Sequence, residues 1–493
     1  MYYIRLLRPA KLDPSSPDRR NPPSPCLSLL ITITTDLGDA FLCPPDDEPF
    51  ELVVAVQGRR DPSLLHHGSD ECQEQDGGGS QTDESHGPTS LLLEPERRYT
   101  WRAGMRVLDL KLRLQPYLLK RKEDLNCTVS IHPAAQKPPL GDLHTADLVP
   151  RQSTDVTRTN FTANKSRGVV VPANVEIVNG ICAPVSKRRL RLGEDVALEF
   201  GEDIGESIAR HVWDAGVVAA ALLGYTCRSR DAESSIIHHI LARAAEREMK
   251  DDKFNVLELG TGVGILGLSI AAILPFAFAT QKMPLRLWPA ATVLLTDLPE
   301  AEERARANIA SARDTISSLS WYRQRVEDNT ASPPPPPPVP RIEYENLDWD
   351  EGSHGRFGPL TRSTAWDLVV LSDCTYNVDS LPALVGTLSA LHTVNENLRP
   401  ARERKTEEIE ESGQKERNKK RKRGSIGGGD GVSIKSTVLL ATKPRHESEE
   451  ALFVLLKAEG WRYRVLQSVP LLKIGEEDEV VEVYILEKGG SEG

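Results

Sequence analysis

The chain has 493 residues, of which 39% are hydrophobic and 27% are charged, and this balance predicts a soluble globular protein. Its 61 Lys and Arg residues against 72 Asp and Glu residues give a formal net charge of −11, which argues against a protein that coats nucleic acid or an anionic membrane. The longest apolar stretch, 265–279, contains Pro275 and is shorter than the roughly 18 to 20 residues of a membrane-spanning helix, so no membrane anchor is predicted.

Four stretches have a composition that does not support a packed core, namely 60–92, 135–168, 328–341 and 400–434. Without them the chain is still long enough for one large domain or two ordinary ones. We therefore predict an N-terminal β-rich region, 1–168, that contains the first two inserts. A second domain, 169–493, contains the other two.

The N-terminal region has three strand-like runs. Residues 29–34 and 52–56 are rich in β-branched side chains, and 107–114 alternates apolar and polar side chains with a period of two. These runs predict a small sheet with one face in water.

From residue 169 onward, strand-like runs alternate with helical ones, which predicts βαβ units and a mostly parallel, Rossmann-like sheet. The predicted strands are 255–259, 292–296, 342–347, 368–372 and 437–441. The predicted helices are 264–274, 300–318, 380–398 and 447–459. Two further strands, 462–466 and 480–486, are close in sequence and are expected to be antiparallel.

A glycine-rich turn follows the first of these strands at Gly260, Gly262 and Gly264. Glycine lets the backbone bend sharply and approach a ligand closely, while the free N–H groups of the following helix face that ligand. The same glycines also fit part of the dinucleotide-binding pattern Gly262-x-Gly264-x-x-Gly267, and so short a match is weak evidence.

Two acidic residues accompany this turn. Glu258 stands two residues before Gly260, where its carboxylate is expected to face a hydroxyl-bearing or positively charged ligand group. Asp297 ends the next strand, a position from which a carboxylate accepts hydrogen bonds from the ribose of an adenosine cofactor. The structural alternative for the segment from Gly260 to Gly264 and for Asp297 is a turn with solvated carboxylates.

Together these residues resemble the first motif of the class I, seven-β-strand S-adenosylmethionine-dependent methyltransferases. That motif reads Glu/Asp-x-Gly-x-Gly-x-Gly, as at Glu258, Gly260, Gly262 and Gly264. More narrowly, the chain resembles the protein-lysine methyltransferases called methyltransferase family 16. The resemblance covers roughly 200–490 without the inserts, and it implies S-adenosylmethionine as the cofactor.

Four further segments resemble motifs of that family in the same order: 211–215, 296–298, 347–349 and 373–376. The resemblance implies that Trp213 lies beside the cofactor and that Asp297 binds its ribose. It also implies that Asp348 and Trp349 lie beside the adenine, and that Asp373 and Tyr376 lie next to the substrate nitrogen. The N-terminal β-rich region has no counterpart in the family pattern.

Methyl transfer from a sulfonium requires alignment and exclusion of water rather than a metal or a nucleophilic side chain. No metal site is predicted. Asp373 can orient an incoming amine, and the Tyr376 hydroxyl can accept a hydrogen bond from it. Each assignment has a structural alternative: a turn or helix cap for Asp373, packing at the strand edge for Tyr376, and an ordinary core position for Trp213.

The sequence thus predicts an N-methyltransferase, with a lysine side chain of a cytosolic protein as the acceptor. The family resemblance suggests elongation factors and chaperones as targets. Three alternatives remain open: a small-amine N-methyltransferase, a binding protein that keeps the fold without the chemistry, and an NAD-dependent oxidoreductase. The last requires a hydride-transfer group after the later strands, and none is evident.

Seven cysteines without a CxxC pair favour a reducing compartment, so the predicted location is the cytoplasm, with the nucleus as an alternative. A basic run from Lys419 to Arg423 is either a nuclear import or electrostatic tethering signal or a solvated charge run. The six prolines from Pro333 to Pro338 are either a ligand for an SH3- or WW-type partner or a spacer.

Overall fold

The computed structural model describes residues 1–13, 26–58, 91–114, 125–135, 141–144, 148, 169–193, 196–205, 208–227, 253–280, 290–319, 339–414, 436–471 and 479–488. Most of the four predicted inserts lies outside these residues, as do the proline run and the basic run. The expectations for the two runs therefore stay predictions.

The N-terminal part of the chain forms two β-sheets. In chain order its strands are β1 (Tyr2–Leu6), β2 (Lys11–Asp13), β3 (Cys26–Thr34), β4 (Phe50–Gly58), β5 (Leu91–Trp101), β6 (Leu108–Arg113), β7 (Cys127–Pro133), β8 (Asp142–His144), β9 (Val170–Val171), β10 (Ala173–Val178), β11 (Ile181–Arg191) and β12 (Ala197–Asp203). One sheet has the order β2-β3-β1-β9, with β6 paired to β3. The other has the order β12-β11-β10-β7-β4-β5, with β8 paired to β11.

The two sheets share one apolar core, in which side chains such as Ile31 of β3, Val54 of β4 and Val175 of β10 are buried. The prediction of a single small sheet is therefore wrong, because β3 and β6 belong to one sheet and β4 to the other. Alternation shows which side chains are buried, but it does not show which strands pair. The strands of these sheets also continue beyond residue 168, as far as Asp203.

The second part of the chain contains a seven-stranded sheet. Its strands are β13 (Lys253–Leu259), β14 (Ala290–Asp297), β15 (Arg341–Asn346), β16 (Leu368–Ser372), β17 (Ser436–Thr442), β18 (Arg462–Leu471) and β19 (Glu479–Lys488). Their order is β15-β14-β13-β16-β17-β19-β18. The first five are parallel, and β19 is antiparallel to both β17 and β18. The predicted α/β fold with an antiparallel C-terminal strand is confirmed.

Seven α-helices are present among the described residues: α1 (Asp214–Thr226), α2 (Ile265–Thr280), α3 (Pro299–Ser318), α4 (Trp349–Ser353), α5 (Pro359–Ser363), α6 (Leu381–Gln414) and α7 (Ala451–Ala458). None of the helices in the described ranges is both long and apolar enough to cross a bilayer. The expectation that 400–434 does not fold is wrong for 400–414, which continues α6. That segment is rich in Glu, Lys and Arg, which have high helix propensity.

The β-rich region packs against the seven-stranded domain through buried polar contacts as well as apolar ones. The amide of Asn308 on α3 donates to the carbonyl of Gly201 (3.0 Å), and its Oδ1 accepts from the Gly201 N–H (2.8 Å). Tyr3 and Phe200 are buried in the same apolar cluster as α1 and α2. The two parts therefore form a continuous interior.

Candidate active site

The glycine loop after β13 passes directly beneath two side chains from other strand ends. Gly260, Gly262 and Gly264 have φ angles of 63°, 54° and 85°, which side chains rarely tolerate. A Cβ added to Gly260 would lie 2.7 Å from Cys374 Sγ and 3.1 Å from Trp349 Cζ2. The loop thus requires glycine both for its conformation and for the close approach of its neighbours.

Glu258 lies under this loop and not on its outer face. The side chain is buried, and it accepts hydrogen bonds from the Thr261 hydroxyl and the Gly267 N–H. Burial raises the pKa of Glu258 to about 8, against the lowering effect of these two bonds. Its carboxyl group therefore holds the loop in place, and these contacts do not support the predicted direct contact with a ligand.

We expect Glu258→Gln to change the pH dependence of stability. The folded-state pKa lies above the ordinary value of 4.5, so between these two values the folded protein holds a proton that the unfolded chain releases. Stability from this group falls as the pH rises through that range, by a few kcal/mol. The melting temperature of the variant minus that of the native chain should therefore be larger at pH 8.5 than at pH 5.5.

Melting temperatures at these two pH values measure the effect. Glu303→Gln is the matched control, because the Glu303 side chain is 83% exposed. If the melting temperatures of the Glu258 and Glu303 variants change in parallel with pH, Glu258 is not held protonated in the folded protein.

Asp297, at the end of β14, ties the first two strand ends together. Its carboxylate accepts hydrogen bonds from the Gly262 N–H and the Leu298 N–H, both at 2.7 Å. Burial raises the pKa of Asp297, while these bonds lower it. The Asp297 carbonyl also accepts from the Leu347 N–H (2.9 Å), which brings the segment after β15 to the same place.

Asp348 and Trp349 lie on that segment and have different roles locally. The exposed Asp348 caps α4, since its side chain accepts from the Asp350 N–H (2.9 Å). The indole of Trp349 is half-buried next to Gly260. An indole in this position offers a flat apolar surface beside the glycine loop. The predicted contact between Asp348 and a cofactor stays a prediction.

These strand-end residues fit an adenosine-bearing cofactor. The glycine loop offers backbone without side chains, Asp297 offers carboxylate oxygens for ribose hydroxyls, and Trp349 offers a ring for a purine. All three follow neighbouring parallel strands, and the carboxyl ends of such strands are where open α/β sheets bind ligands.

Asp373 follows β16 in a left-handed conformation, with φ at 52°. One carboxylate oxygen accepts from the Ala215 N–H at the start of α1 (2.6 Å), and the other pairs with Arg445 (2.9 Å). Burial raises the pKa of Asp373 to about 6; Arg445 and the Ala215 N–H lower it, and the charges of Asp36 and Asp214 raise it further.

Tyr376 and Trp213 form the exposed rim above Asp373. Their rings are nearly parallel, with an interplanar angle of 2° and centroids 6.5 Å apart. Tyr376 is 52% exposed, and Trp213 is half-buried. The guanidinium of Arg445 lies over the Trp213 ring, 5.5 Å from its centroid. A planar or alkyl group that enters here meets two aromatic faces.

A buried charge cluster lies behind this rim and consists of Asp36, Asp214, Asp373, Lys443 and Arg445. Lys443 Nζ is 2.7 Å from both Asp36 and Asp214, and Arg445 is 2.7 Å from Asp36 and 2.9 Å from Asp373. Burial raises the pKa of Asp214, but the Met1 amino group and Lys443 outweigh it and lower that pKa. Asp36 comes from the loop after β3, so the cluster joins both parts of the chain.

The structure therefore places nearly all of the predicted site residues at one edge of the sheet. It also adds Asp36, Lys443 and Arg445, which the sequence reasoning missed. Lys443 and Arg445 follow β17 directly, so the rule that ligands bind at the carboxyl ends of parallel strands gave a signal for them. No comparable signal exists for Asp36.

Part of the chain matches a known protein family. Residues 193–334 and 326–412 match the model of a family described as lysine methyltransferase. This part of the chain is therefore similar to that methyltransferase family. The match includes the glycine loop, Asp297 and the segment from Asp373 to Tyr376, and S-adenosylmethionine is the cofactor.

A relative from the fission yeast Schizosaccharomyces pombe, a UPF0665 family protein, is 28% identical to this chain over 201 residues. The alignment covers 41% of this chain and 44% of the relative, so it spans less than half of the relative's length.

Two solved structures are similar at a low level. TYW2 from Pyrococcus horikoshii in complex with MeSAdo is 11% identical, with 67% of this chain and 86% of that chain covered at a TM-score of 0.27. An O-methyltransferase family 2 protein from Planctomyces limnophilus, in complex with apigenin, is 12% identical, with 56% and 67% covered at a TM-score of 0.23. TM-scores this low do not establish a shared fold. The fold assignment is based instead on the order of the strands in the sheet.

Proposed function

We propose that the protein is an S-adenosylmethionine-dependent N-methyltransferase that acts on a lysine side chain of a cytosolic protein. One observation carries the proposal: the segment from Asp373 to Tyr376 is packed against the glycine loop. Cys374, inside this segment, would be only 2.7 Å from a Cβ at Gly260. The carboxylate of Asp373 and the ring of Tyr376 thus belong to residues one and two positions from a side chain that contacts the loop.

The bound cofactor supplies a methyl group on a positively charged sulfur. The chain's own residues act on the acceptor. Asp373 is ionised above a pH of about 6, so its carboxylate attracts the lysine ammonium, and it can orient the neutral amine once that group has released its proton to solvent. The Tyr376 hydroxyl can accept a hydrogen bond from the same amine, and the parallel rings of Tyr376 and Trp213 reduce access of water.

The exposure of the rim supports a protein acceptor over a small amine. Tyr376 is 52% exposed, and Val378 beyond it is 36% exposed, so the acceptor side is open. A pocket for a small molecule usually buries most of its ligand's surface. A lysine on a folded protein brings its own surface to cover an open rim, which explains why apolar side chains are left uncovered here.

Transfer of label tests this function. The purified chain is incubated with methyl-labelled S-adenosylmethionine and a lysate from cells that lack the protein, and the labelled residue is identified by mass spectrometry. We expect label on lysine in one protein or a few. Asp373→Asn should bind the cofactor and lose most of the transfer, whereas Asp379→Asn, an exposed carboxylate on the same loop, should resemble the native chain.

Three results would contradict the proposal. Label on a residue other than lysine would exclude a lysine acceptor, and label on a small molecule alone would favour the small-amine alternative. If the native chain binds the cofactor without any transfer, the protein is a binding protein that keeps the fold.

A further inference from the structure

We propose that Asp36, in the N-terminal β-rich region, is a positioning residue that orients Asp373 through Arg445. The N-terminal region would then complete the active site, although it lies outside the residues that match the methyltransferase family. This inference rests on the proposed function, because it assigns a role in the same transfer reaction.

One guanidinium group joins the two carboxylates. Arg445 Nη2 is 2.7 Å from Asp36 Oδ2, and Arg445 Nη1 is 2.9 Å from Asp373 Oδ1. The side chains of Asp36, Asp373 and Arg445 are 0%, 4% and 8% exposed, so water screens these contacts little. Because guanidinium is planar and rigid, its position on Asp36 determines which of its N–H groups reaches Asp373.

Asp36 is itself held firmly. Its Oδ1 accepts from Lys443 Nζ (2.7 Å) and from the Leu37 N–H (3.0 Å), and its carbonyl accepts from Arg5 (2.9 Å). The loop that carries it is closed by a hydrogen bond from the Thr35 N–H to the Ala40 carbonyl (3.0 Å). Asp36 is therefore a fixed point against which Arg445 is aligned.

Asp373 needs such support, because it adopts a left-handed conformation that residues other than glycine rarely adopt. The Ala215 N–H holds one oxygen, and Arg445 holds the other. If Asp36 no longer anchors it, Arg445 is free to bind both oxygens of Asp373 and to draw the carboxylate away from the acceptor. The Asp373 charge would also be neutralised more fully.

Asp36 also influences the acidity of Asp373. The groups that face Asp373 are Arg445 from the segment after β17, Asp36 from the β-rich region, Asp214 and the Ala215 N–H from α1, and its neighbour Cys374. Lys443 lies between Asp36 and Asp214 and offsets their charges. Since the charge of Asp36 raises the pKa of Asp373, its removal should lower that pKa.

Asp36→Asn tests the proposal, because asparagine keeps the shape and removes the charge. The acceptor is the lysate protein that the native chain labels, purified. We expect kcat to fall on the order of 10- to 100-fold and the acidic limb of the kcat profile to move to lower pH. The KM for S-adenosylmethionine should stay the same, since the cofactor contacts lie on other strand ends. The matched control is Asp47→Asn, an exposed carboxylate of the same region, which should leave all three quantities unchanged.

Arg445→Lys keeps the experiment decisive if Asp36→Asn does not fold. Lysine retains the positive charge but cannot span both carboxylates as a fork, so it should lower kcat by a similar factor. Combined with Asp36→Asn it should cause little further loss, because both changes break the same link.

The outcomes separate this inference from the proposed function. If the native chain transfers no label, the proposed function fails and the inference fails with it. If the native chain transfers label and the Asp36 variant matches the Asp47 variant in kcat and in the acidic limb, only the inference is overturned. Additive losses in the double variant would also overturn it, since Asp36 would then act by another route.

Discussion

Replacement of Gly260 by alanine is expected to reduce S-adenosylmethionine affinity at least 100-fold. The φ angle of 63° strains any side chain, and the new Cβ would collide with Cys374 Sγ at 2.7 Å and with Trp349 Cζ2 at 3.1 Å. Neither neighbour can move freely, because Cys374 is buried against the loop and Trp349 packs on an apolar cluster. The loop must shift, and its backbone then no longer fits the cofactor.

Gly460→Ala is the matched control for this variant. Gly460 has a φ of 79°, so alanine there meets a similar backbone strain, but nothing lies within 4 Å of its Cβ position. Isothermal titration calorimetry should find native affinity for the Gly460 variant and little or none for the Gly260 variant. Equal affinities would show that the cofactor does not depend on this loop.

Lys443→Met is expected to cause a large loss of stability. The methionine fills a similar volume but leaves Asp36 and Asp214 buried without their shared cation. Removal of one partner from a buried ion pair typically costs about 3 to 5 kcal/mol. The β-rich region and the seven-stranded domain meet at this cluster, so the loss should appear as a melting temperature lower by roughly 5 °C or more.

The control and the pH dependence make this result specific. Lys253→Met removes an exposed lysine at the start of β13 and should change the melting temperature little. Adding Asp214→Asn to Lys443→Met should restore part of the stability, because the cluster that has lost one cation then also has one negative charge fewer. Since the pKa of Asp214 is lowered, its favourable contribution to stability is present at pH values above the ordinary pKa of 3.8 and is lost in stronger acid. The difference in melting temperature between Lys443→Met and the native chain should therefore narrow in stronger acid. A double variant less stable than Lys443→Met would contradict this explanation.

Most of the second domain could be predicted from the sequence, because its strands are short apolar runs with clear ends. Glycines follow β13, an aspartate ends β14, and an Asp-x-x-Tyr segment follows β16, so each site residue is tied to a strand end. Neighbouring parallel strands bring their carboxyl ends together, and the predicted residues therefore meet without any knowledge of side-chain contacts. Burial of Glu258 was harder to foresee, because the register alone does not show on which side of the loop a carboxylate lies.

The β-rich region was less predictable because its strands pair over long distances. β1 pairs with β9, some 170 residues later, and β3 pairs with β6 across the segment that holds β4 and β5. The contact between Asp36 and Arg445 spans 409 positions and leaves no local pattern. Such contacts depend on how two folded regions dock, and a single sequence records each region's periodicity but not the docking.

Calorimetric titration of the full chain with S-adenosylmethionine, and separately with NAD, tests the central claim most directly. If the residues at the carboxyl edge of the parallel strands hold a sulfonium cofactor, the first ligand should bind with one site per chain and the second should give no saturable heat. Saturable binding of NAD, or no heat from either ligand, would contradict the methyltransferase assignment.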